Sequence, residues 1–251
     1  MARSWSVVEG GYRLDDWGGR RWTLRVDGPR PGLVAEGSDL AILALDGLAE
    51  SGRRSSRALA GSTLLRVERR HGRVEATYAP LGWGGLRVRA AWGLVGEAGV
   101  ELEVQVTARS VGRLRGLEVV VLSEWRDGGG PRWVQPRDAR SAGLGYDGRE
   151  STVADLTTYP PGDLGSTLGG GPEGWFYAQH VGAGDASRVI REGPTPHVGP
   201  RSRTHLFGHD LERGVVLRGR IRGHWLSGNR PRAEALELDA AFRAEPPPLG
   251  T

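Results

Sequence analysis

The chain has 251 residues, 38% of them hydrophobic and 25% charged, enough to bury one sizeable core and too ordinary in composition for a disordered segment. It contains no cysteine, which excludes disulfides and thiolate metal sites, and no apolar run approaches the roughly 18 residues that span a bilayer. The net charge is +4, and all 34 basic residues are arginine, interleaved with 30 acidic residues rather than massed on one segment, so nucleic acid is not an expected partner.

In chain order, the N-terminus lacks an apolar signal-peptide core, and the expected location is the cytoplasm. Short strands are predicted at 5–8, 21–26 and 40–45, with about one helical turn at 45–50 interrupted by Gly47. Residues 63–69 and 74–79 form a hairpin around Arg70-His71-Gly72-Arg73. A longer hairpin follows. Leu86, Val88, Ala90, Trp92 and Leu94 share one face, as do Val100, Leu102, Val104, Val106 and Ala108, with the turn Gly96-Glu97-Ala98-Gly99 between them. The period of two places Trp92 opposite Leu102, and a slip of one residue would expose every apolar side chain. Residues 117–125 hold the run Val119-Val120-Val121-Leu122, the mark of a central strand covered on both faces.

Two stretches, 127–149 and 159–174, are rich in glycine and proline and read as long loops, which in compact domains are often functional. Between and after them, strands are expected at 151–157, 175–180 and 203–209. A third hairpin joins 214–226 to 233–242, pairing Ile221 with Leu236, Arg220 with Glu237 and Arg218 with Asp239. This explains the arginine run as a solvated face of paired charge. The tail Pro246-Pro247-Pro248 frays. Neither a repeat nor a linker divides the chain, so residues 1–251 read as one domain: all-β, a large antiparallel two-sheet sandwich.

Among residues that carry chemistry, His205 and His209 lie on one predicted strand, about 13 Å apart, too far to share an ion. No metal site and no cofactor motif is read. His180 can approach either from a neighbouring strand, and an imidazole cluster then forms; otherwise each is a hydrogen-bonded histidine on a sheet face. His71, His197 and His224 read as turn, loop and surface residues. Asp210 and Glu212 flank a strand start. Glu124, beside Trp125 at the end of a buried strand, is either an acid–base group of raised pKa or an arginine partner. Nine tryptophans are many for this length, and most belong to the core, as Trp92 and Trp225 do. Trp83, Trp133 and Trp175 adjoin glycine- or proline-rich segments, where an exposed ring would stack on a sugar.

The segments 85–125 (LRVRAAWGLVGEAGVELEVQVTARSVGRLRGLEVVVLSEW from Leu86) and RTHLFGHDLERGVVLRGRIRGHWL from Arg203 resemble the β-supersandwich of the galactose-mutarotase-like group. The resemblance implies a sugar-facing sheet. For an aldose epimerase it implies His180, His205 or His209, and Glu212 as the catalytic set. Apart from the resemblance, Trp83, Trp133, Trp175, Arg203, Asp210 and Glu124 are the residue types that would surround a carbohydrate ligand. The alternative is a non-enzymatic interaction or structural sandwich.

Overall fold

A computed structural model describes every residue except 1–2, 39, 51–52, 57–58, 71, 110–112, 126–131, 135–156, 160–165, 171–173, 193–198, 228–229 and 247–251; for 53–56, 132–134, 157–159 and 166 it describes the backbone alone. The described residues form three antiparallel sheets and one helix. An N-terminal meander runs through β1 (Ser6–Val8), β2 (Gly11–Leu14), β3 (Trp22–Arg25), β4 (Gly32–Ala35) and β5 (Ala41–Ile42). The six-stranded sheet has the order β14 (Thr157–Tyr159), β17 (Ala186–Glu192), β18 (Arg201–Glu212), β12 (Arg113–Glu124), β6 (Ala44–Glu50), β7 (Arg53–Ser56). The eight-stranded sheet has the order β13 (Arg132–Val134), β15 (Ser166–Gly170), β16 (Trp175–Val181), β19 (Val216–Ser227), β11 (Gly99–Ala108), β10 (Leu86–Val95), β9 (Arg73–Ala79), β8 (Thr63–Arg70).

The two large sheets pack face to face over one core, which the meander extends with Trp5, Leu14, Trp17, Trp22 and Leu24. Gln179 of β16 spans the interior, accepting a hydrogen bond from Ser123 of β12 (2.6 Å) and donating one to Thr204 of β18 (3.1 Å). The long hairpin has the expected register, with Trp92 opposite Leu102, and the β8–β9 hairpin forms around Gly72. β12 is central, between β18 and β6, and Val119 to Leu122 are all buried.

Three expectations fail. The third hairpin does not exist: residues 231–244 are the helix α1 (Pro231–Ala244). Its alternating Leu236, Leu238 and Ala240 imitate a strand. The segment, however, lacks any β-branched residue, starts with Pro at the first turn, and places Ala235, Asp239 and Phe242 on one buried helical face. β19 instead pairs with β11, so Arg222 stands opposite Glu101 and Arg220 opposite Glu103. The charge pairing is real, with different partners: Arg222 donates to Glu101 at 2.6 Å and Arg218 to Glu103 at 2.8 Å. The face is not solvated, however, since Arg220, Arg222 and Glu103 are buried. The helical turn at 45–50 is part of β6, where pairing with the buried β12 overrides local propensity. The stretches read as loops contain β13 and β15; the rest of 127–149 and of the strand expected at 151–157 lies largely outside the described residues. β17 was not foreseen, because its pattern Ala186-Ser187-Arg188-Val189-Ile190-Arg191 breaks strict alternation.

Candidate functional site

Gln179 points into the core, so its neighbours His180 and Ala178 point the other way, onto the outer face of the eight-stranded sheet, where Ala178 packs with Leu226 of β19 and Ala235 of α1. His180 is fully buried there, with Nδ1 3.6 Å from Asp239 of the helix. His205 lies on the outer face of the other sheet, next to Thr204, which meets Gln179 inside the core. The imidazole cluster of His180 with His205 or His209 is therefore not formed. His180 instead meets His224, ring centroids 5.3 Å apart, and His224 is buried rather than a surface residue.

The most distinctive arrangement on the six-stranded sheet surrounds Glu118. One carboxylate oxygen accepts from Ser187 Oγ (2.7 Å); the other accepts from Arg188 Nη2 (2.7 Å) and from His205 Nδ1 (2.8 Å). An ionised carboxylate only accepts, so this contact puts the proton on Nδ1. His205 Nε2 is shielded from water and has no hydrogen-bond partner. Burial alone would raise the Glu118 pKa, but the bonds from His205 and Ser187 and the charge of Arg188 outweigh it and hold the carboxyl below the usual range. A carboxylate fixing an imidazole tautomer, with the far nitrogen unused, is the orienting half of general acid–base machinery.

Backbone irregularities bracket this pair. A register shift falls at Ser187, between Ala186 and Arg188 of β17, and aims its hydroxyl at Glu118. On β18 another falls between Phe207 and His209, where Phe207 (φ 79°) and Gly208 (φ 72°) are left-handed. A bulky residue in that region is strained by about 1–3 kcal/mol, a feature that clusters at functional sites. A third shift lies in β6 at Asp46, which receives Arg203 (3.0 Å) and Arg30 (3.2 Å). Arg203 also pairs with Glu192, which holds Arg201.

The remaining expected site residues divide. Arg203 belongs to this face, and Glu124 joins its edge through Arg30 (3.7 Å), so Glu124 is an arginine partner. The irregularity at Phe207 and Gly208 separates His209, which is exposed, from buried His205. Asp210 accepts from the Gly116 N–H (2.8 Å) and from Arg113, which in that order hold its carboxyl below the usual range. Glu212 pairs with the same Arg113 (3.6 Å). Trp83 is buried in the core and cannot stack on a ligand; Trp175 is half-buried against the core; the Trp133 side chain lies outside the described residues. Sequence reasoning missed Glu118, Ser187 and Arg188. The available signal was a glutamate directly before the apolar run Val119 to Leu122 of the central strand.

No protein-family model and no curated protein sequence matches the chain. Solved structures do. A heparan sulfate lyase mutant from Pedobacter heparinus matches 90% of this chain with 37% of its own, at 10% identity and a TM-score of 0.51. A polysaccharide lyase matches 94% of the chain with 34% of its own (11% identity, TM-score 0.46), and a kojibiose phosphorylase from the human microbiome 92% with 29% (7% identity, TM-score 0.42). The first of these carries the comparison, which is one of fold. The chain spans about 37% of that lyase's length. Its sandwich is similar in fold to a part of that larger lyase.

Proposed function

We propose that the chain is a single carbohydrate-handling sandwich domain whose sugar-facing surface is the outer face of the six-stranded sheet. The observation that carries this reading is the Glu118–His205 pair, with Nδ1 fixed by the carboxylate and Nε2 without a partner. Because Nε2 is shielded from water, a ligand hydroxyl would reach it, and be placed for proton transfer, only where binding moves aside the side chains that cover it. Arg188, Arg201 and Arg203 stand on the strands around it, β17 and β18; each is paired with an acid of this chain, Glu118, Glu192 or Asp46, so the acid groups of a polysaccharide such as the heparan sulfate of the lyase in the comparison would bind them by exchange with those carboxylates. An aldose-epimerase version has less support: it needs a second imidazole on this face, and His180 is on the other sheet.

The test is a glycan array that includes heparan sulfate oligosaccharides, followed by calorimetry on the wild type, His205→Ala and Arg203→Ala. Saturable binding weakened at least about tenfold in both variants supports the reading. Accelerated mutarotation of an aldose would favour the epimerase version. Absence of both would favour a second reading, a non-enzymatic structural module, which the match to only 37% of a larger lyase supports.

A further inference from the structure

Helix α1 covers part of the outer face of the eight-stranded sheet with few apolar groups. Ala235 packs with Leu168, Ala178 and Leu226, and the Phe242 ring lies under the guanidinium groups of Arg222 (4.2 Å) and Arg220 (4.9 Å). Between them the contact is polar. Asp239 is 1% exposed; its Oδ2 accepts from Arg243 (2.8 Å) and its Oδ1 faces His180 Nδ1 at 3.6 Å. Glu245, just past the helix, receives both nitrogens of Arg222 at 2.8 Å.

On β19, His224 lies between Arg222, which stacks on Phe242, and Leu226, which packs with Ala235, and among the described residues no acid bonds it. The groups facing it are His180 from β16, Arg222 from its own strand and Arg3 from the N-terminal segment, which itself bonds the carbonyls of Gly96 and Gly99. The nearby acids are engaged elsewhere: Asp239 with Arg243 and His180, Glu101 and Glu245 with Arg222. Its ring also abuts Gly99 so closely that any side chain there would collide with Nε2. His224 Nδ1 has no hydrogen-bond partner.

We propose that α1 is an acid-released clasp: uptake of a proton by His224 undocks the helix from the eight-stranded sheet while the sandwich beneath stays folded. Burial first, then the charges of His180, Arg222 and Arg3, push the docked imidazole down to about 3. Burial likewise lowers His180, although Asp239 partly offsets it. A folded pKa below the free value of 6.5 means the open form binds the proton more tightly. Docking is therefore complete above about pH 6.5 and weakens as pH falls toward 3, with the opening constant rising about tenfold per pH unit for one proton. Release uncovers Arg220, Arg222, His180 and His224 together.

The test is hydrogen exchange of the full chain between pH 7 and 5, corrected for intrinsic rates, comparing α1 amides with those of β11. In the wild type, α1 protection should fall about tenfold per pH unit below 6.5, and that of β11 should not follow it. In His224→Gln the slope for α1 should fall to at most what His180 contributes, and in the exposed-site control His209→Gln it should not change. Equal loss of protection in α1 and β11, or an unchanged slope in His224→Gln, overturns the proposal. Should His224→Gln fail to fold, the wild-type comparison of α1 with β11 still decides it. The outcome does not depend on whether the other face binds sugar.

Discussion

His205 Nδ1 lies 2.8 Å from Glu118 Oε2, although the two residues stand on separate strands and the same carboxylate also holds Ser187 and Arg188. Three donors on one buried carboxylate make it the organising centre of the six-stranded sheet's outer face. Glu118→Gln replaces an acceptor with an amide whose nitrogen opposes at least one of those donors. Unfolding midpoints in denaturant should report a loss of about 1–3 kcal/mol at pH 7. Because the folded Glu118 pKa is depressed, its contribution is present above the ordinary carboxylate range and fades as pH falls through the folded value. The wild type and Glu118→Gln should therefore converge in stability under acid.

Gly208→Ala tests the strained turn of β18. At φ 72° a side chain is disfavoured in itself, and the added methyl would stand 2.5 Å from Ser187 Cβ. A loss of about 2 kcal/mol or more is expected by chemical denaturation. The Ser187 hydroxyl should leave Glu118, visible as a shift of the His205 ring signals in NMR. Wild-type stability with an unmoved His205 spectrum would separate the turn from the site.

Asp185 gives the opposite pH behaviour. It accepts the Arg220 backbone N–H (2.8 Å), yet burial first of all pushes its pKa up, partly countered by that bond and by Arg220. A raised folded pKa means the ionised form opposes folding, increasingly so as pH rises through it. Asp185→Asn keeps an acceptor for the N–H and removes the charge. Thermal unfolding at pH 7 should show equal or slightly higher stability, by less than about 1 kcal/mol, with the difference gone near pH 3. A clear destabilisation at pH 7 would contradict this account.

The Trp92 ring tests the core. Its Nε1 donates to the Leu43 carbonyl (3.0 Å), and its face fills the sandwich opposite Leu102. Leu43 has φ 48°, so this bond secures a backbone kink as well as filling space. Trp92→Phe should cost about 2–4 kcal/mol, from the lost ring volume together with a buried carbonyl left unpaired, measured by equilibrium unfolding.

Much of the architecture was legible because period two is a strong constraint. The register of Trp92 against Leu102 follows from the need to bury one face, and the apolar run of β12 marks its central place. The helix α1 was misread because Leu236, Leu238 and Ala240 alternate; absence of β-branched residues was the better guide. His224 was misread as exposed because nothing local announces a helix packed across it. The Glu118–His205 pair was half legible. His205 was singled out, but its partner depends on irregularities at Ser187 and Gly208 that leave no periodic signature.

The position of β19 has a consequence for how the chain is made. It is the last strand among the described residues, yet it lies in the interior of the eight-stranded sheet, with β11 on one side and β16 on the other, so Gly99 waits for His224 and Tyr177 for Trp225. On the ribosome, the finished hairpin of β10 and β11 must hold an apolar face and an open edge until Val216–Ser227, more than a hundred residues later, has emerged. Closure is then a late, non-local event, of the kind that makes β proteins slow to fold. Translation stalled before Val216 would leave that edge free to recruit a neighbouring chain.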